Sequence, residues 1–426
     1  MKIAIAGYGL EGESNYRYWS KYPDSEITVV DQKQPDFQIP VGVESIIGSD
    51  AFEKLTNFDL VVRTAGLSPN KIHTNGKIWS STNEFFSKCP ALIIGVTGTK
   101  GKGTTASLIE FILREDSKKT WLLGNIGKPS LDVIDKIQQD DIVVYEMSSF
   151  QLWDVERSPR IALILFIEKD HQDVHNDMQE YLNAKGNITR FQNSNDLLIY
   201  NASNQYAVDI SKKSKAKKVA YQSDLSAHVH DNYFYYGSEQ ICPVSVLKIP
   251  GIHNQDNACA SIDAVWEIIN DKSAIERGFS KFLGLPHRLQ FVREFNGVKY
   301  YDDSIATTPS SAIAALRSFD SKKVIILGGS PKGSDFDELG NELTKHDAYA
   351  ILIGDEAEKI SNSCNKNGFR NYEIIQNPNM KTIVDRAKII ADPGSVVLLS
   401  PASASFGLFK NYSDRGNQFI EAVMDL

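Results

Sequence analysis

Gly95-Val96-Thr97-Gly98-Thr99-Lys100-Gly101-Lys102-Gly103-Thr104-Thr105 lies between an apolar run at 91–95 and an amphipathic stretch at 107–113. A strand that turns through glycines into a helix presents backbone N–H groups at the helix's positive end, where phosphate binds. Lys102 adds a cation within reach of β- and γ-phosphates. The segment therefore predicts a nucleoside triphosphate site built from Gly98, Thr99, Lys100, Gly101, Lys102, Gly103 and Thr104. Two positions depart from strict GxxxxGK[ST]. Val96 stands at its first glycine and Gly103 at the hydroxyl that normally holds Mg²⁺, which leaves Thr104 or Thr105 to approach the metal.

A second glycine turn opens the chain. Gly7-Tyr8-Gly9-Leu10-Glu11-Gly12 fits GxGxxG after a strand at 2–6, and Asp31 ends the next strand where a ribose-binding acid is expected. The motif leaves three readings open: an NAD-dependent oxidoreductase using Gly7, Gly9 and Gly12, a site for another nucleotide or sugar nucleotide, or a tight structural turn. Two phosphate turns argue against a plain dehydrogenase, because hydride transfer has no use for the second. They suit an ATP-driven reaction on a substrate that itself carries a nucleotide.

Around these turns, strand-like and helix-like segments alternate, as in α/β domains with mainly parallel sheets. At about 100–200 residues per domain, 426 residues imply several domains. Restarts of the pattern place them at 1–89, 90–286 and 287–426. Buried strands are expected at 142–145 and 161–167, and a β-rich stretch at 219–248. Asn296-Gly297 between apolar runs signals a type I′ hairpin that opens the third domain. The third domain continues as a Rossmann-like unit.

Composition narrows the function classes. With 46 basic and 54 acidic residues the net charge is −8, against general affinity for nucleic acid or anionic membrane. The lysines at 212, 213, 215, 217 and 218 read as a solvated turn between strands, because no aromatic residue interleaves them. Cys89, Cys242, Cys259 and Cys364 form no CxxC pair, which suits a reducing compartment and neither disulfides nor zinc. Met1-Lys2 runs straight into a strand rather than a signal peptide, and no apolar run approaches the roughly 20 residues that span a bilayer. A cytoplasmic monomer without membrane or nucleic-acid partners is expected.

Several residues carry candidate chemistry. Glu146 ends a buried strand, where sites gather in parallel α/β folds, and is either a Mg²⁺ ligand or a cap of the next turn. His171, in Asp170-His171-Gln172-Asp173, is a metal or phosphate ligand or neither. Lys185 falls on a helix expected at 178–191 and alone reads as a surface lysine. Asn254 and Asn257 share a helical face and either contact a base or cap the helix.

In their joint order these residues resemble the Mur ligase superfamily, and most of all its glutamate-adding branch. The markers include Gly98-Thr99-Lys100-Gly101-Lys102, Gly124-Asn125-Ile126-Gly127, Glu146-Met147-Ser148-Ser149-Phe150-Gln151-Leu152, Ala184-Lys185, Leu285-Pro286-His287-Arg288, Asp303-Ser304 and Ser400-Pro401-Ala402-Ser403-Ala404-Ser405. The resemblance implies a three-domain α/β fold: a Rossmann-like domain, a P-loop ATPase-like domain and a second Rossmann-like domain. It implies that ATP activates the carboxylate of UDP-N-acetylmuramoyl-L-alanine as an acyl phosphate, which D-glutamate then attacks, in cytoplasmic peptidoglycan precursor synthesis.

By motif match, Lys102 would hold the transferring phosphoryl group and Glu146 the first Mg²⁺. His171 and Lys185, the latter as a carbamate, would serve a second Mg²⁺. Asn254, Asn257, Arg288 and Asp303 would meet ATP; Ser14, Asp31, Gly66 and Asn125 would meet the UDP substrate; Thr307, Lys332, Ser405 and Tyr412 would meet glutamate. Ile305 replaces the lysine of the family's Asp-Ser-Lys-Ala-Thr-Asn segment, so an L-glutamate-adding relative is the alternative. A folate-polyglutamating ligase fits the carboxy-terminal motifs less well.

Overall fold

A computed structural model describes residues 1–426 except Asp36, His171, Gln172, Asp173, Lys332, Asn377 and Phe406. The chain forms two compact units, Met1–Val244 with Asp256–Phe279 and Ser245–Gln255 with Ser280–Leu426.

The first unit holds two parallel sheets. In the first, strands lie in the order Glu44–Ile47, Glu26–Asp31, Lys2–Ala6, Leu60–Arg63 and Lys77–Ser80. Ile3, Ala4, Ile5 and Ala6 have no exposed surface, as a central parallel strand covered on both faces requires. Ile5 pairs with Val29 on one side and Val62 on the other. The order reverses between Lys2–Ala6 and Leu60–Arg63, and ligands of such sheets bind in the crevice outside the strand C-termini at that point.

The second sheet runs Lys217–Tyr221, Leu197–Asn201, Ile161–Ile164, Leu92–Thr97, Ile142–Glu146 and Thr120–Gly124, all parallel. Its order reverses between Leu92–Thr97 and Ile161–Ile164, beside the glycine turn that leads into the helix Lys102–Glu115. Phe85 and Phe86, from the helix Ser81–Lys88, pack their rings against Tyr145 at centroid distances of 5.3 and 5.2 Å and so join the two sheets. Three antiparallel strands, Ala227–His230, Tyr233–Tyr236 and Glu239–Pro243, form the β-rich stretch foreseen from the sequence. Asp231 and Asn232, at φ 47° and 62°, make the first of its turns.

In the second unit the sheet order is Gln290–Phe295, Val298–Asp302, Val396–Leu399, Lys323–Gly328, Ala348–Ile353 and Tyr372–Ile375. Only the first pair is antiparallel. Asn296 (φ 49°) and Gly297 (φ 77°) turn it, as their chemistry predicted.

Two local expectations change. The strand expected at 161–167 stops at Ile164, because the Phe166 carbonyl turns aside to accept from the Thr99 N–H at 2.8 Å. The lysine cluster is not a turn between strands. Lys212 and Lys213 close the helix Gln205–Lys213, where cations oppose the negative end of its dipole, and Lys217 and Lys218 start an edge strand.

Asp263 is the conspicuous buried acid, 2% exposed on the helix Ile252–Trp266. One oxygen accepts from the Ala227 N–H at 2.7 Å; the other has no partner among the described residues. Burial pushes its pKa up to about 8, against the smaller opposing pull of the Ala227 N–H. The folded state therefore keeps a proton that the unfolded chain has released, and stability falls as pH rises from about 4, the unfolded value, to about 8. Asp263→Asn should flatten that slope in pH-dependent thermal melts and melt above the parent at pH 8; parallel profiles would refute this.

Candidate active site

The glycine turn after Leu92–Thr97 is forced by close approaches. Gly101, at φ 86°, would set a Cβ 2.3 Å from the Asn257 Oδ1, and Gly98, at φ 157°, would set one 2.8 Å from the Leu165 Cβ. No other residue type fits either place. Lys102 opens the helix and donates through Nζ to the Thr99 carbonyl at 2.9 Å. Thr105 is fully buried and donates to the Asn257 Oδ1 at 3.3 Å, so of the two threonines Thr104 is the one not committed to that asparagine. Asn257 thus braces the turn from the helix Ile252–Trp266.

Glu146 stands at the end of the neighbouring strand, paired in register with Val96 and Gly124 and 3% exposed. Asn125 donates through Nδ2 to its Oε1 at 2.9 Å. Gly124 is a necessity here as well, since a Cβ would lie 2.1 Å from the Glu146 carbonyl. Lys185 is 1% exposed on the helix Met178–Arg190, not on the surface where its sequence position alone would put it. Its Nζ donates to the Gly98 carbonyl at 2.7 Å and stands 4.6 Å from the centre of the Tyr181 ring. Burial, and secondarily Lys102, hold its pKa well below the usual lysine range, while Asp170 and Glu146 pull the other way. Tyr181 also meets the Thr99 hydroxyl at 2.8 Å. The sheet edge thus gathers a phosphate turn, two lysines and a buried carboxylate. Glu146 is a hard oxygen donor of the kind Mg²⁺ takes, and among the described residues no group of three or more His, Cys, Asp or Glu is placed to hold a metal ion. His171 lies outside the described residues.

The first sheet's turn uses its amides differently. The Tyr8 N–H donates to the Asp31 Oδ2 at 2.8 Å, and the Ala65 N–H to the Glu11 Oε2 at 2.8 Å. Ser81 donates to the other Glu11 oxygen. Asp31 thereby takes an amide of the glycine turn itself, and Glu11 one on the loop that follows the strand Leu60–Arg63. Ser14 is 2% exposed and donates to Asp132 at 2.9 Å, a bond that ties the helix Leu10–Trp19 to the segment Ser130–Asp132. Gly66 is exposed, with open space where a side chain would stand.

In the second unit, Asp303 follows the strand Val298–Asp302, with its N–H on the Leu399 carbonyl at 2.8 Å. Ser400 and the Leu289 N–H donate to its carboxylate at 2.7 and 3.1 Å. Burial pushes its pKa up to about 7, partly offset by those donors and by Arg288. Ser405 is buried, Thr307 and Arg288 are more open, and Tyr412 is 40% exposed at the start of the helix Tyr412–Met424. Asn254 donates to the Pro250 carbonyl at 2.6 Å, a turn-closing bond. Lys332 lies outside the described residues. Ile305 is half-buried, its N–H on the His287 carbonyl at 3.0 Å.

Sequence reasoning gave no role to Glu11, Tyr181 or the pair His287–Asp302. His287, at φ 61°, meets the Asp302 Oδ2 through Nδ1 at 2.6 Å, and Gly416 is glycine because a Cβ would stand 2.1 Å from that nitrogen. Two adjacent acids after an apolar strand were the available signal for Asp302.

Solved structures share this architecture. UDP-N-acetylmuramate-alanine ligase MurC of Thermotoga maritima superposes with a TM-score of 0.59 at 17% identity, covering 100% of this chain and 99% of that one. Mycobacterium tuberculosis folylpolyglutamate synthase complexed with ADP gives 0.58 at 15%, covering 80% and 93%. The fold is thus that of the three-domain ligases. Residues 96–265 match the Mur ligase middle domain and residues 287–403 the Mur ligase, glutamate ligase domain. UDP-N-acetylmuramoylalanine–D-glutamate ligase of Clostridium tetani is 34% identical over 100% of this chain and 97% of its own length. The enzyme of the same name from Ruminiclostridium cellulolyticum is 36% identical over 90% and 86%. The chain belongs to the Mur ligase family.

Gly101→Ala should weaken ATP binding by about tenfold or more through strain at positive φ and the clash with Asn257. Calorimetric titration with a non-hydrolysable ATP analogue checks it, and unchanged affinity would remove the turn from the site.

Proposed function

We infer that the chain is an ATP-dependent ligase that adds D-glutamate to UDP-N-acetylmuramoyl-L-alanine in peptidoglycan precursor synthesis. The observation that carries this reading is the sheet edge where Lys102, Lys185 and Glu146 surround the glycine turn, in a chain collinear with D-glutamate ligases along its whole length. We assign its domains to 1–89, 90–286 and 287–426, and its place of action to the cytoplasm. Among the described residues, no helix is long and apolar enough to cross a membrane.

A carboxylate is a poor electrophile because its oxygen is a poor leaving group. In the proposed reaction the alanyl carboxylate oxygen attacks the γ-phosphorus and ADP departs. The glutamate nitrogen then adds to the acyl carbon, and the tetrahedral adduct expels phosphate as the amide forms. Crowded negative charge is the main barrier, so positioning and charge neutralisation supply most of the catalysis. Lys102 holds the transferring phosphoryl group, and the turn's N–H groups hold the triphosphate. Magnesium bound by Glu146, and at a second position by His171 and a carbamylated Lys185, would neutralise further phosphate charge. Burial of Lys185 supports the carbamate, since it favours the neutral amine, the form that adds CO₂. Asp31, Gly66 and Asn125 take the uridine substrate, and Thr307, Lys332, Ser405 and Tyr412 the glutamate. The relatives' naming favours D- over L-glutamate despite Ile305.

Purified protein given ATP, Mg²⁺ and UDP-N-acetylmuramoyl-L-alanine should form ADP and a new amide with D-glutamate and not with the L-enantiomer. Absence of ADP coupled to amide formation with either would sink the reading. Lys185→Ala should lose turnover and regain part of it with added formate or acetate; no recovery counts against the carbamate.

A further inference from the structure

We propose that Arg63 and Asp154 form a positioning pair that fixes the span between the nucleotide-holding loop and the phosphoryl-transfer edge. This rests on the ligase reading above. Arg63 ends the strand Leu60–Arg63 with no exposed surface. Its Nε donates to the Asp154 Oδ2 at 2.7 Å, and its Nη2 to the other Asp154 oxygen and to the Phe150 carbonyl at 3.0 Å. Its Nη1 donates to the Leu67 carbonyl at 3.1 Å and to the Thr64 carbonyl at 3.3 Å. All of the guanidinium's donors are thereby used. One side of the fork orders the loop 64–67, which carries Gly66. The other side holds the segment that follows Glu146.

That segment is itself stiff. Ser148 and Gln151 form a capping box at the helix Ser149–Leu152. Asn83 secures Asp154 from the helix Ser81–Lys88, donating to its carbonyl at 2.9 Å and accepting from the Glu156 N–H at 2.8 Å. Arg63 therefore couples two rigid pieces rather than a rigid and a loose one.

An ion pair with its arginine fully buried and its aspartate partly exposed is a poor choice if adhesion is all that is needed, because apolar residues of similar size hold two elements at least as well. A bidentate guanidinium–carboxylate pair does something apolar contact does not: it fixes distance and angle together. The proposed substrate needs this. It is held at its uridine end by one sheet and must deliver its carboxylate at the other, so the distance between the two attachment points decides whether the reacting atoms meet. Arg63 touches neither reacting atom and acts through the two segments it ties.

The test uses the full chain carrying Asp154→Asn, which keeps shape and removes charge, or Arg63→Lys, which keeps charge and removes the fork. Thermal melts, UDP affinity by calorimetry, and steady-state kinetics in ATP and UDP-N-acetylmuramoyl-L-alanine are read in parallel. Expected are UDP affinity and ATP KM within about twofold of the parent, with kcat/KM for the nucleotide substrate down by about tenfold or more. Unchanged kcat/KM overturns the proposal. So does a loss of UDP affinity that matches the loss of turnover, because Arg63 would then serve only its own loop. Should Arg63→Lys not fold, Asp154→Asn, which leaves the arginine's carbonyl bonds in place, carries the decision. A parent protein that forms no ADP overturns the ligase reading itself, and that result is read without any variant.

Discussion

Close approach of the backbone to its neighbours at the ends of the strands Leu92–Thr97 and Thr120–Gly124 is the constraint on which the site depends. Gly98 has the Leu165 side chain where its own would be, Gly101 has Asn257, and Gly124 has the Glu146 carbonyl. Removing three side chains lets a turn, a neighbouring turn and a helix meet at one sheet edge. It also leaves the N–H groups of the helix Lys102–Glu115 able to face an anion. Lys185 then donates to Gly98 and Asn125 to Glu146, so the charged groups are held by the same turns that the glycines make possible.

The two glycine turns of the first unit solve their electrostatics in opposite ways. At Gly7-Tyr8-Gly9 the nearby amides donate to Asp31 and Glu11, so that negative charge is built in. At Gly98–Lys102 the charges supplied are lysines, with Glu146 on the adjoining strand. The sequence motifs alone do not separate these cases, because GxGxxG specifies backbone freedom and not what the freed amides bind.

What was legible in the sequence was mostly local. The apolar run before Gly95 and the glycines after it fixed a strand, a turn and a helix. Asn296-Gly297 fixed a hairpin, since only a few residues tolerate the required positive φ. Short outer strands such as Glu44–Ile47 and Tyr372–Ile375 were not legible, because partial exposure leaves them too mixed in character to stand out. Lys185 shows the same boundary. Its helix was readable from periodicity, but alone it read as a surface lysine, whereas the fold buries it beside Gly98.

The sequence by itself determined the class of fold, the place of the phosphate turn and the identity of the family, because these depend on residue types at fixed short spacing. Only the tertiary structure decided which amides donate to Asp31 and Glu11, that Ser14 donates to Asp132 and that Arg63 reaches across to Asp154. Those facts join residues about a hundred positions apart, and which groups meet at such separation is set by how sheets stack and not by any neighbour along the chain.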